Sequence, residues 1–352
     1  MNRQISYAEA LCEAQRQTLD ADDQVIVIGL GVPDPKGIFN STSGLQEEFG
    51  PDRVMDMPLS ENAMTGVVIG AAMTGLRPVM THQRVDFAMT AMEQIINQAA
   101  KWHYMFNGQH KVPIVVRMVV GRGWGQGPQH SQSLQSLFAH IPGLKVIMPT
   151  SAHDAKGMLI SAIEDDNPVI SLEHRWLYGI KDFVPEEPFR VPLGKARVMR
   201  EGTDVTIVSL SYMTLEALSA AETLETRGVN AEVVDLRSLR PLDEQTILDS
   251  IKKTGRLIVA DTTNKMYGAS AEIAALATEK AFSSLRGAPV RIGSPEHPAP
   301  TSPALADQYY PRAPHIAAAV LEMLELPVDG LRFDPPEGRR LDQPNASFTG
   351  PF

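Results

Sequence analysis

Cysteine is almost missing from this chain. One residue, Cys12, stands among 352, which excludes an internal disulfide and any site built from several thiolates. It lies in an amphipathic stretch where it is expected to pack as a small apolar residue, and a reducing cytoplasm is the expected compartment. Basic charge is also short: 32 Lys and Arg face 42 Asp and Glu, a formal net charge of -10. With no basic stripe to offset that balance, neither a nucleic-acid backbone nor an anionic membrane is the expected partner. No stretch approaches the roughly 20 apolar residues of a membrane helix. The opening MNRQISYAEALCEAQRQTL lacks the apolar core of a signal peptide, so a soluble protein is expected.

What the chain does have is strand-helix alternation, long enough for two domains of about 150 residues. A helix is expected over 6–19, a strand over 24–31, a helix over 45–49, a strand over 54–57 and a helix from Met64. A strand over 78–82, a loop over 83–86 and a helix with apolar face Met89, Met92, Ile96 and Ala100 follow. VPIVVRMVV, 112–120, is the near-continuous apolar run of a central parallel strand. Residues 181–203, rich in proline and charge, read as a linker, after which the alternation restarts with strands at 205–211, 231–238 and in RLIVADT. These patterns predict two doubly wound α/β domains, 1–180 and 204–326. The segment 327–352 is expected to be an irregular tail, either disordered or laid across a partner.

Two places carry chemistry. Glu61, in MDMPLSENAMTGVVIGAAMTGLRP (55–78), sits where a strand ending at Pro58 hands over to a helix. Ligands of open α/β sheets bind beyond the carboxyl ends of the strands. A helix dipole alone also favours an acid there, so position by itself leaves a structural role open. The second place is GRGWGQGPQHSQS, 121–133, which leaves the end of the central strand. It is no P-loop, since no Gly-Lys-Ser/Thr follows, and GLGVP at 29–33 is no dinucleotide fingerprint, since Pro33 and Pro35 replace the helix it needs. The stretch reads as a phosphate cradle, a lid or a surface loop, with His130 at its far end as a catalytic or a structural histidine.

Six segments then occur in order: PLSE around Glu61, DFAMTAMEQIINQAAK (86–101), QHSQS (129–133), GLKVIMPTSAHDAKG (143–157), DNPVISLEH (166–174) and VVDLRSLRPLDEQTI (233–247). Together they resemble the beta subunit of the thiamine-diphosphate-dependent decarboxylase component of 2-oxo acid dehydrogenase complexes, of the pyruvate and branched-chain type. The resemblance covers residues 5 to about 324. It implies a transketolase-like pyrimidine-binding domain followed by a transketolase C-terminal domain.

The resemblance also implies roles. Glu61 would hydrogen-bond a ring nitrogen of the cofactor aminopyrimidine, Phe87 would stack on that ring, and Leu59 would be its apolar neighbour. His130 would face the reacting carbon. Ile114, Ala162, Asp165 and Asn167 fall where some family members hold a structural potassium ion. The Gly-Asp-Gly motif that holds magnesium and diphosphate in thiamine-diphosphate enzymes is absent. An alpha subunit would therefore supply that half of the site in an alpha-two, beta-two heterotetramer. The implied activity is decarboxylation of a 2-oxo acid and acyl transfer to the lipoyl group of a partner acyltransferase. A split transketolase-like subunit that moves a ketol or acyl unit to a sugar is the alternative enzyme, and a non-catalytic scaffold the alternative outside enzymes. THQRVD (81–86) and GRGWGQGP (121–128) depart from the family on the expected substrate side, where Arg84 and Arg122 would bind an acid group or pair with interface carboxylates.

Overall fold

In the computed structural model, which describes residues 3–122 and 126–331, the apolar runs assemble into two main sheets. The first has seven strands in the order Ser238–Arg240, Lys145–Ile147, Val169–His174, Val115–Val120, Arg77–His82, Val25–Gly29 and Val54–Met55. All run parallel except Ser238–Arg240, which pairs antiparallel with Lys145–Ile147. Both faces are covered, as a parallel sheet requires. Tyr7–Ala21, capped by Ser6 and Glu9 in a capping box, packs with Ala152–Ile163 on one face. Glu61–Met73 and the helical run 85–105 cover the other.

The alternation of side chains along Val115–Val120 shows why the sheet has a unique register. Val115 and Val119 enter one apolar cluster, Val116, Met118 and Val120 the other, and all six residues are buried. Arg117 therefore points into the first cluster. There its Nε and Nη2 meet Glu173 Oε1 and Oε2 at 2.7 and 2.9 Å, with both side chains fully buried. Its Nη1 donates to Gln15 Oε1 at 3.0 Å and its Nη2 to Ser41 Oγ at 2.9 Å, while the Tyr178 hydroxyl donates to Glu173 at 2.5 Å.

The second sheet runs Val290–Ser294, Leu257–Asn264, Val205–Ser209, Ala231–Asp235 and Arg197–Arg200, the last strand antiparallel. The expected strand 231–238 is in fact two. It breaks after Asp235, Arg237 turns with φ 55°, and Ser238–Arg240 crosses to the first sheet. Buried apolar residues run without a gap from one domain to the other, Val146 and Met148 sharing a cluster with Val208, Leu236 and Ile247. The segment 181–203 is anchored along its length. Lys181–Phe183 pairs with Gln4–Ser6, and the buried Lys156 ammonium donates to the carbonyls of Pro185, Glu186 and Glu187 at 2.7, 2.9 and 3.1 Å. A helix Pro303–Tyr309, not among the elements expected from the sequence, also forms. No helix among the described residues is long and apolar enough to cross a membrane. Of the expected tail, 332–352 lies outside the described residues.

The helical run after residue 85 differs from its sequence pattern. Gln94–Ala99 is wound as a π-helix, which inserts a residue into the turn and rotates the face. Ala88, Ala91, Ile95 and Ala99 are buried together with the expected Ala100, and the expected Met89, Met92 and Ile96 are only half-buried.

Two measurements follow from this packing. Glu173→Leu leaves Arg117 charged and unpaired in the core, so it is expected to cost about 3–5 kcal/mol in urea unfolding; a loss under 1 kcal/mol, the ordinary value of an exposed pair, would show the pair to be dispensable. Asp235 is fully enclosed between the domains, where burial pushes its pKa up to about 7. The folded chain then keeps a proton that the unfolded chain releases near 3.8. Stability contributed by that proton is full below the unfolded value and is lost as pH rises through about 7. The urea midpoint should therefore fall from pH 5 to pH 8 by more in the parent chain than in Asp235→Asn. Equal falls in the two chains would refute the assignment.

Candidate active site

The parallel strands of the first sheet end on one edge, and the segments carrying Leu59, Glu61, Phe87 and His130 leave from that edge. After Val54–Met55 the chain turns at Pro58. Asp56 Oδ1 accepts from the amides of Gly31 and Met57, both at 2.9 Å, and ties this turn to the end of the neighbouring strand. Glu61 is the first residue of the helix Glu61–Met73. Ser60 precedes it without a side-chain cap, and the half-buried Glu61 carboxylate has no hydrogen bond or ion pair among the described residues. Leu59, beside it, is 70% exposed.

The next strand, Arg77–His82, delivers the short helix Val85–Ala88. The Glu61 helix packs against it, and it packs in turn against the turn Gln129–Ser131 that carries His130. Phe87 and His130 are thereby brought together, their rings 5.6 Å apart and inclined at 39°. His130 Nδ1 lies 2.8 Å from Asp86 Oδ2. Asp86 is the site residue that sequence reasoning passed over: the pair is 44 residues apart and no spacing joins them.

The glycine-rich loop is pinned at its neck. Gly121, with φ 80°, donates to Gln132 O at 3.0 Å, and a Cβ there would stand 2.4 Å from His174 Nε2. Arg122 is buried and donates to the carbonyls of Pro300 and Thr301, both at 3.0 Å, so it clasps the second domain. The middle of the loop, 123–125, lies outside the described residues. Arg84 is buried too, donates to His130 O at 3.4 Å and lies over the Phe39 ring at 5.7 Å. Burial holds its pKa below the usual guanidinium value, against the pull of Asp86. Two further histidines end strands on this edge, His82 and His174. Burial lowers their pKa to about 4 and about 3, which keeps both neutral.

The fold also gathers Ile114, Ala162, Asp165 and Asn167. Val169 N donates to Ile114 O at 2.9 Å, Asp165 N to Ala162 O at 3.3 Å, and Asn167 N to Asp165 Oδ1 at 2.9 Å. The Arg77 guanidinium donates into the same turn, to Ile163 O at 3.2 Å and Asp165 O at 3.1 Å, and Lys145 pairs with the Asp165 carboxylate.

Comparison with known proteins concerns the two domains and the chain as a whole. The family "Transketolase, pyrimidine binding domain" matches residues 3–181, and "Transketolase, C-terminal domain" matches 194–316. The acetoin:2,6-dichlorophenolindophenol oxidoreductase subunit beta of Bacillus subtilis is 43% identical over 93% of this chain and 99% of its own length. The pyruvate dehydrogenase E1 component subunit beta of Rickettsia bellii is 46% identical over 83% of this chain and 89% of its own. A solved structure titled "Split gene transketolase, inactive beta4 tetramer" aligns with a TM-score of 0.75 at 26% identity, over 92% of this chain and 99% of that one. Two transketolase-like domains in this order, and identity at this level along nearly the whole length, mean that the chain belongs to the family of beta subunits of the thiamine-diphosphate-dependent 2-oxo acid dehydrogenases.

Proposed function

We propose that this chain is the beta subunit of a cytoplasmic thiamine-diphosphate enzyme that decarboxylates a 2-oxo acid and passes the acyl group to the lipoyl arm of an acyltransferase. The observation that carries the reading is Glu61: a half-buried carboxylate at a strand-to-helix turn, without a partner among the described residues, at the edge where Phe87 and His130 meet. A carboxylate so placed accepts a hydrogen bond from a ring nitrogen of the aminopyrimidine. When bound, the cofactor would supply a nucleophilic thiazolium carbon and a sink for the electrons of the bond to be cleaved. The residues of this chain bind and orient. Phe87 offers the face on which the pyrimidine rests, Leu59 an apolar contact, and His130 a ring directed to the substrate side.

The reading extends to a structural potassium ion at Ile114, Ala162, Asp165 and Asn167 only as far as the oxygens allow. Ile114 O accepts one amide proton and keeps a lone pair, but Asp165 O already accepts from Arg77, so ion and guanidinium share the turn.

The magnesium and diphosphate half of the site is assigned to an alpha subunit, in an alpha-two, beta-two assembly. The surface supports a partner here. Leu59 and Val67 on the Glu61 segment are 70% and 59% exposed, and Tyr104 and Met105, at the end of the helical run packed on that helix, are 89% and 63% exposed.

Substrate has a second reading. A relative that matches 99% of its own length is named for acetoin, whose cleavage needs the same attack on a carbonyl but releases an aldehyde where a 2-oxo acid releases carbon dioxide. The sugar-transferring alternative rests on the weaker likeness, 26% identity.

Co-expression with the candidate alpha subunit and assay against a panel of 2-oxo acids and acetoin, by carbon dioxide release and dye reduction, decides among these. Glu61→Gln in that assembly is expected to slow proton exchange at the thiazolium carbon by about 10²- to 10⁴-fold with thermal stability unchanged; exchange at the parent rate would sink the assignment of Glu61. The chain by itself, with magnesium and cofactor, is expected to bind weakly in calorimetry and to show no turnover. Micromolar binding together with decarboxylation would mean that the whole site lies in this chain.

A further inference from the structure

The carboxylate behind His130 carries an inference that rests on the reading above only for the chemistry it serves. His130 Nδ1 stands 2.8 Å from Asp86 Oδ2. The imidazole is 43% exposed and the Asp86 side chain 12%, so the acid lies behind the ring and the ring faces outwards. Asp86 Oδ1 is buried and has no hydrogen-bond partner among the described residues, which leaves His130 as the one group the carboxylate holds. An ionised carboxylate only accepts hydrogen bonds. Nδ1 must therefore carry the proton, and the neutral ring keeps its lone pair at Nε2.

The backbone is held as well. Arg84, two residues before Asp86, donates to the His130 carbonyl at 3.4 Å, and its charge faces Asp86. On the other flank Tyr310 approaches both Ser131, the residue after His130, and Arg122. Phe87, the residue after Asp86, sets its ring 5.6 Å from the imidazole. One short helix, Val85–Ala88, thus presents the aromatic ring and the carboxylate that locks the histidine beside it.

The geometry points to Asp86 as the positioning residue of His130, which selects the Nδ1–H tautomer and aims the Nε2 lone pair at the substrate side of the cofactor. A carboxylate that merely anchored the loop would tie down the turn Gln129–Ser131 and leave the tautomer to solvent. The two roles give different spectra.

The test uses the full chain labelled with nitrogen-15 histidine at about pH 8, above the ordinary histidine range, with His130→Gln to assign the signal. Long-range proton-nitrogen shifts report which ring nitrogen holds the proton. The parent chain is expected to show the Nδ1–H form. Asp86→Ala should move His130 towards the Nε2–H form that free histidine prefers, and Asp86→Glu should restore the parent pattern. Asp86→Asn keeps an acceptor oxygen and nearly the same volume, and should give an intermediate spectrum should the alanine variant fail to fold. An Nε2–H form in the parent, or an unchanged tautomer in both the alanine and asparagine variants, overturns the inference. No partner or cofactor enters this arm, so it stands or falls apart from the proposed function.

In the assembled enzyme, Asp86→Ala should lower kcat by about 10- to 1,000-fold with KM moving by less than about 3-fold, and Asp86→Glu should recover part of the loss. An unchanged kcat refutes the positioning role. A parent assembly inactive on every 2-oxo acid and on acetoin refutes the proposed function and leaves the tautomer result as the judge of Asp86.

Discussion

Everything in the first domain is arranged about one buried ion pair. Arg117 and Glu173 lie on adjacent central strands, Val119 being the register partner of Glu173, so the pair spans the sheet diagonally on a single face. A slip of one residue would carry the guanidinium to the opposite apolar cluster without a counter-charge, so the pair fixes register as well as contact. The same two side chains reach outward. Through Gln15 they hold the first helix, through Tyr178 the turn after Val169–His174, and through Ser41 the segment that precedes it.

That last contact bears on the site. Ile38, Phe39 and Asn40 run through positive φ of 38°, 56° and 71°, a conformation costing on the order of 1–3 kcal/mol per non-glycine residue. Ser41, bonded to Arg117, closes this run, and the Phe39 ring comes to lie beneath Arg84 and Arg175, at 5.7 and 4.5 Å. The ion pair thus holds a strained segment against Arg175 and against Arg84, which donates to the His130 carbonyl. The strands it locks are the ones whose ends deliver Gly121 and Arg175, so core and site share one set of constraints.

Much of this was legible in the residues. The apolar runs at 25–29, 115–120 and 205–209 could only be buried strands, and Glu61 begins a helix because Pro58 stops the strand before it. Leu59, Glu61, Phe87 and His130 were named through the resemblance, since their neighbours in sequence carry the motif, and the fold places Phe87 and His130 side by side. What escaped was set by contacts between distant parts. Asp86 faces His130 only after three elements have packed, Arg117 lies inside what reads as a near-continuous apolar run, and Arg122, read as binding an acid group or pairing with interface carboxylates, donates instead to carbonyls of the second domain. The rotated face of the helix after residue 85 was hidden for a local reason: a π turn changes the period that any count of apolar positions assumes.

Ser238–Arg240 gives the first sheet its outermost strand from beyond the second domain's first three strands. While the chain is being made, the edge of Lys145–Ile147 emerges from the ribosome roughly ninety residues ahead of its partner, with unpaired amides and carbonyls in an apolar setting. Synthesis at about 5–20 residues per second leaves that edge open for several seconds. In that interval the nascent chain presents a bare template for any extended segment, an exposure that the finished fold, with Ser238–Arg240 paired to Lys145–Ile147, no longer shows.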